Sequence, residues 1–127
     1  MPLYHTWFAT KRRKWLLLGD VDDTVKDIIA SVAAEKRIDL IECETAVDHV
    51  HVLLRAADRT ELSRAMNYIK GLSSKRLFER LPELKLDIGM NNFWQHRYGA
   101  KVVPDAAKQS VTQYIRTQQE RLENYAR

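Results

Sequence analysis

Two histidines one residue apart, His49 and His51, sit in the stretch Asp48-His49-Val50-His51-Val52-Leu53-Leu54. Its β-branched and apolar residues read as a strand. Alternation along a strand puts His49 and His51 on one face and Val50 and Val52 on the other. Two residues of strand rise span roughly 6.6 Å, within reach for both imidazoles to bind one metal ion if they lean together. The buried valines would anchor the strand and hold the histidines rigidly. By itself the triplet equally fits two histidines on a solvated strand face. A second pair lies far along the chain. Tyr114 and Gln118 are four residues apart in a helical pattern and so share a helix face. The ordinary roles of such residues are a core tyrosine and a solvated glutamine. A histidine pair on a strand together with Tyr-x-x-x-Gln on a helix is a far more specific combination than either alone.

These groups need a scaffold, and the chain supplies one in order. Residues 4–10 read as a first strand. Asp20, Asp22 and Asp23 suit the positive N-terminus of the next helix, and Val25, Ile28, Ile29 and Val32 carry it to about Arg37. Residues 39–46 form a second strand with Ile41, Cys43 and Thr45 on one side, and a tight connection at Val47 pairs it with the histidine strand. Asp58 or Thr60 caps a second helix, whose stripe is Leu62, Ala65, Met66, Ile69, Leu72, Arg76 and Leu77. Gly71 interrupts it, which fits either close approach of another backbone or a local packing need. Residues 85–91 are an irregular connection, 92–103 a fourth strand, and Pro104-Asp105 opens a last helix lined by Val111, Tyr114, Ile115, Gln118 and Leu122. The order β-α-β-β-α-β plus a C-terminal helix predicts an α+β fold. It is the ferredoxin-like split βαβ: an antiparallel sheet with two helices on one face. The first and third strands are then central, which leaves the histidine face for a substrate and the C-terminal helix.

At 127 residues the chain predicts a single domain spanning 1–127. No apolar run approaches the ~20 residues of a membrane span, and the N-terminus lacks a signal-peptide layout. A single cysteine, Cys43, excludes an intramolecular disulfide and a Cys-rich zinc site. It fits a reducing, cytoplasmic setting and reads as a buried structural thiol. The net charge of +4 favours a polyanionic partner. Candidate nucleic-acid contacts are Lys11, Arg12, Arg13 and Lys14, then Lys70, Lys75 and Arg76, then Trp94, Arg97 and Tyr98, with cations for phosphates and aromatics for unpaired bases. His5 and His96 are spare histidines, structural or DNA-facing.

The chain resembles the small single-tyrosine transposases of bacterial and archaeal insertion sequences, members of the HUH endonuclease superfamily. His49-Val50-His51 matches the HUH triplet, Tyr114 the nucleophilic tyrosine and Gln118 the glutamine of the metal site. Tyr4-His5-Thr6-Trp7, Leu72-Ser73-Ser74-Lys75, and Phe93-Trp94-Gln95 through Tyr98-Gly99 match further segments, in family order. The pattern departs at His96-Arg97, where many relatives carry arginine and then a small residue.

The resemblance implies a DNA transposase that cuts and rejoins single-stranded DNA through a covalent 5′-phosphotyrosine on Tyr114. It implies Mg2+ or Mn2+ held by His49, His51 and Gln118, single-stranded DNA with hairpin ends as partner, and a prokaryotic homodimer whose tyrosine helix can serve either subunit. A tyrosyl phosphoester keeps the bond energy needed to rejoin strands. Alternatives are a domesticated repeat-associated relative and a non-enzymatic nucleic-acid-binding module on the same sheet.

Overall fold

In β3 (His49–Arg55), Val50, Val52 and Leu54 are fully buried against the helices while His49, His51 and Leu53 take the other side. Each buried valine or leucine contributes roughly 1.5–3 kcal/mol to holding β3 on the helices. This computed structural model describes residues 1–89 and 92–118. β1 (Leu3–Ala9), β2 (Asp39–Ala46) and β4 (Gly99–Val103) join β3 in one antiparallel sheet of order β2-β3-β1-β4. The first and third strands are central, as the split βαβ order requires. α1 (Gly19–Glu35) and α2 (Arg59–Arg80) pack on each other over one face. Asp58 caps α2 by accepting from the Glu61 N–H at 2.8 Å, a contact of about 1 kcal/mol.

α4 (Lys108–Arg116), entered through a 3-10 turn at Asp105–Ala107, lies on the opposite face. Ile115 is fully buried there with Leu3, Leu53 and Val103, and Val111 and Ala107 pack against the same cluster. Arg116 Nε holds Glu42 Oε2 of β2 at 2.6 Å. Among the described residues, Val111 and Ile115 of the α4 stripe therefore pack on the chain's own sheet. Leu122, expected on that stripe, lies outside the described residues. Among the described residues no helix is long and apolar enough to cross a membrane.

Several sequence expectations change. β2 has a bulge between Leu40 and Glu42. The extra residue shifts the alternation by one, so Leu40 and Cys43 pack toward the helices while Ile41 joins the cluster under α4. The expected strand 92–103 is a strand only from Gly99 to Val103. Phe93 and Trp94, adjacent in sequence, both pack into the cluster under the helices, where strand alternation would send them to opposite faces; the segment before Gly99 keeps an isolated antiparallel bridge from Trp94 to Thr10. Residues expected to be irregular include α3 (Leu84–Ile88), whose buried Leu84 and Ile88 are one turn apart. α1 ends at Glu35, before Arg37, which adopts φ 56°. A Cβ at Gly71 would meet nothing within 4 Å, so no backbone approaches it.

Candidate active site on the open face of the sheet

β3 delivers both imidazoles to one point: His49 Nε2 and His51 Nε2 are 3.0 Å apart. The turn before β3 fixes the first ring. Ala46 pairs with His49, so Val47 and Asp48 alone turn the chain, with Val47 at φ 37°. Asp48 Oδ1 accepts from His49 Nδ1 at 2.7 Å, and its Oδ2 faces Arg13 at 3.5 Å. That carboxylate holds the Nδ1 proton and leaves His49 Nε2 with its lone pair. The second ring is fixed by β1. His5 Nε2 and His51 Nδ1 share a hydrogen bond of 2.9 Å. Burial, then the neighbouring His49 and His5, push the His51 pKa down to about 4, so the ring is neutral at pH 7. His5 is lowered as well, by burial and then by Lys101.

This donor pair fits a divalent ion. Two cis imidazole nitrogens at ~2.1 Å from one ion stand about 3 Å apart, the spacing seen between the two Nε2 atoms. Among the described residues no cluster of three His, Cys, Asp or Glu side chains is arranged to hold a metal.

α4 sets Tyr114 at the rim. Its ring centroid is 6.1 Å from that of His51 and 6.4 Å from that of His5, and the residue is 45 % exposed. His49, His51 and Tyr114 line one cleft of about 840 Å³, which also takes in Trp7, Arg13, Gln95, Arg97, Tyr98 and Lys101. Gln118 is turned away. Its Nε2 donates to the Tyr114 carbonyl at 3.2 Å, and it is not part of the cleft wall.

The expected nucleic-acid contacts divide. Arg13, Arg97 and Tyr98 line the cleft. Trp94 does not: it is 1 % exposed, and its Nε1 donates to Ser73 Oγ at 2.8 Å. Lys70 is buried and donates to the carbonyls of His96 at 2.7 Å and Arg97 at 3.1 Å, so it pins the segment that carries Arg97. Arg76 pairs with Glu35 at 2.7 Å on the helix layer. Arg12 donates to the Ile88 carbonyl at 3.0 Å. Lys11, Lys14 and Lys75 lie outside the cleft wall, with Lys75 beside a smaller depression on α2.

The sequence marks His5 only as a spare histidine, structural or DNA-facing, and Trp7 only as part of a matching segment; the structure brings both to the histidine face. The signal was present: in the split βαβ order β1 lies beside β3, so the alternating residues His5 and Trp7 share the histidine face. Their register with β3, Trp7 opposite His51, comes only from the structure.

Comparisons with known proteins show the family of the chain. Residues 2–118 match the family model described as transposase IS200 like. The chain is 31 % identical over 118 residues to the ISDra2 transposase TnpA of Deinococcus radiodurans, covering 93 % of this chain and 84 % of that one. It is 32 % identical over 118 residues to the transposase for insertion sequence element IS200 of Salmonella typhimurium, covering 92 % and 76 %. A crystal structure from Deinococcus radiodurans R1, described as a candidate transposase, superposes with a TM-score of 0.74 at 31 % identity, over 93 % of this chain and 92 % of that one. A REP-associated tyrosine transposase bound to a REP hairpin shares the fold, with a TM-score of 0.62 at 17 % identity over 91 % and 64 %.

Proposed function

The chain belongs to the IS200-like transposase family, and from that membership we propose that it cuts and rejoins single-stranded DNA through a 5′-phosphotyrosine on Tyr114. The observation that carries this reading is the shared cleft: Tyr114 stands over the histidine pair, 6.1 Å from the His51 ring, with its residue 45 % exposed.

In the first step the Tyr114 hydroxyl gives up its proton and its oxygen attacks the phosphorus. The Oη–P bond forms, the bond from phosphorus to the 3′ oxygen breaks, and the released 3′-hydroxyl takes a proton. The reverse step uses the 3′-hydroxyl of another strand and returns the tyrosine. His49 and His51 would hold the divalent ion, Mg2+ or Mn2+, with Gln118 completing the protein ligands once its amide leaves the Tyr114 carbonyl. Bound there, the ion supplies polarisation of the scissile phosphate and offsets charge on the leaving oxygen. Paired imidazoles favour manganese over magnesium by ligand type. Asp48 keeps the His49 ring in place throughout. Arg13, Arg97 and Lys101 attract and seat the flanking phosphates.

The partner is single-stranded DNA carrying hairpin ends, and the working unit is a homodimer. With α4 folded on its own sheet, each Tyr114 serves the histidines of its own chain.

The test is incubation of the protein with end-labelled single-stranded element-end DNA and Mn2+, followed by denaturing electrophoresis. A labelled band at the mass of protein plus DNA is expected. Tyr114→Phe retains DNA binding and forms no such band. An adduct of undiminished yield from Tyr114→Phe overturns the assignment of the nucleophile.

A further inference from the structure

Trp7 is placed unlike the other two tryptophans. Trp94 is in the core, and Trp15 is exposed away from the cleft wall. Trp7 projects from central β1 onto the open face, opposite His51 on one side and Gly99 on the other. A Cβ built on Gly99 would overlap Cε2, Nε1 and Cζ2 of the indole. The ring therefore lies across the glycine, in space that any other side chain would fill. Edge β4 gives up a side chain at this register and the indole takes its place. His5 braces the ring at 5.2 Å between centroids, with the planes tilted by 58°.

A ring held this firmly is still 37 % exposed, and it is exposed into the cleft. Burying it completely would stabilise the fold further, so packing alone does not account for its position. The cleft also carries the cations Arg13, Arg97 and Lys101 and ends at the histidine pair. A fixed aromatic surface beside cations matches one ligand class: a single-stranded nucleotide, with its base on the ring and its phosphates on the cations.

We propose that Trp7, laid over Gly99, is the stacking floor for the unpaired base of the nucleotide next to the phosphate presented to His49 and His51. The subsite rests on the single-stranded DNA reading of the cleft. It adds a positioning surface that tells a stacked base from a missing one and fixes which phosphate reaches Tyr114.

The experiment measures binding, not cleavage, in the Tyr114→Phe background. Fluorescence anisotropy is recorded with a labelled single-stranded oligonucleotide and with a set in which each nucleotide in turn is abasic. With Trp7 present, one abasic position is expected to weaken binding by roughly ten-fold, the scale of one base on an aromatic ring. Trp7→Leu should weaken binding to the intact oligonucleotide by the same factor and become indifferent to that abasic position. Trp7→Phe should restore most of the loss, and Gly99→Ala, which displaces the indole, should mimic Trp7→Leu. Circular dichroism confirms that each variant is folded. If no abasic position couples to Trp7 while DNA binding in this background and adduct formation by the protein that keeps Tyr114 are both intact, the stacking floor is wrong and the transposase reading stands. If the parent protein binds no single-stranded DNA, both fall together.

Discussion

His5 on β1 and His51 on β3 are joined ring to ring by a 2.9 Å hydrogen bond between Nε2 and Nδ1. A bond between two imidazoles needs one donor and one acceptor, so their tautomers are linked. When His51 offers the Nε2 lone pair to a metal, its Nδ1 carries the proton and donates to His5 Nε2. His5 thus holds the second ligand ring as Asp48 holds the first. His5→Phe should lower Mn2+ affinity by roughly 10- to 100-fold, the usual cost of losing such an outer partner. His5→Gln, which keeps an acceptor, should recover part of it. Calorimetric titration with Mn2+ measures both; unchanged affinity in His5→Phe would show that the bond does not support the ligand.

Mixing two inactive variants reads the assembly. Tyr114 sits over the histidines of its own chain, and Ile115 beside it is fully buried on the same sheet. A mixture of Tyr114→Phe and His49→Ala proteins should therefore stay inactive after subunit exchange, since every site keeps one lesion. Recovered cleavage would mean that α4 has crossed to the partner.

The Lys70 ammonium is held among the carbonyls of His96 and Arg97, and burial lowers its pKa from 10.5. Between the lowered folded value and 10.5 the unfolded chain binds more protons, so stability rises with pH in that window. The contribution is complete above 10.5 and is lost as pH falls through the folded value. Lys70→Met should remove this dependence. It should also destabilise the fold by about 2 kcal/mol, because two carbonyls lose a charged donor. Urea melts of the two proteins at a series of pH values give the difference curve; a flat difference would contradict the assignment.

Cys43 offers a contrast. Burial first, and then Glu44, push its thiol up to about 12. At about pH 8 an aromatic disulfide reagent should label it far more slowly in the native protein than in urea. Equal rates would show that the thiol is not shielded.

The legibility of this chain follows the physics of each signal. Strand alternation and helical spacing report which face is buried, and they placed His49, His51 and Tyr114 on elements that do converge. Phe93 and Trp94 mislead because bulky apolar residues signal burial without saying whether a strand or a plug provides it. Alternation alone puts Ile41 on the same side as Cys43, and the structure does not, because a bulge leaves no mark in residue type. Lys70 resembled the surface lysines because what buries it, the carbonyls of His96 and Arg97, belongs to a segment distant in sequence.

That bulge matters for how the molecule survives with one sheet face partly bare. Among the described residues β2 and β4 are the outer strands, and on β2 the Cys43 and Thr45 N–H groups donate to the Glu42 and Glu44 carboxylates. β2 is kinked at Leu40–Glu42 and carries Asp39, Glu42 and Glu44, and β4 runs for five residues with Lys101 at its middle. Kinks, charges and brevity are the standard obstacles to strands of two molecules zipping together. The same extra residue that sends Ile41 under α4 thus makes β2 a poor template for edge-to-edge aggregation.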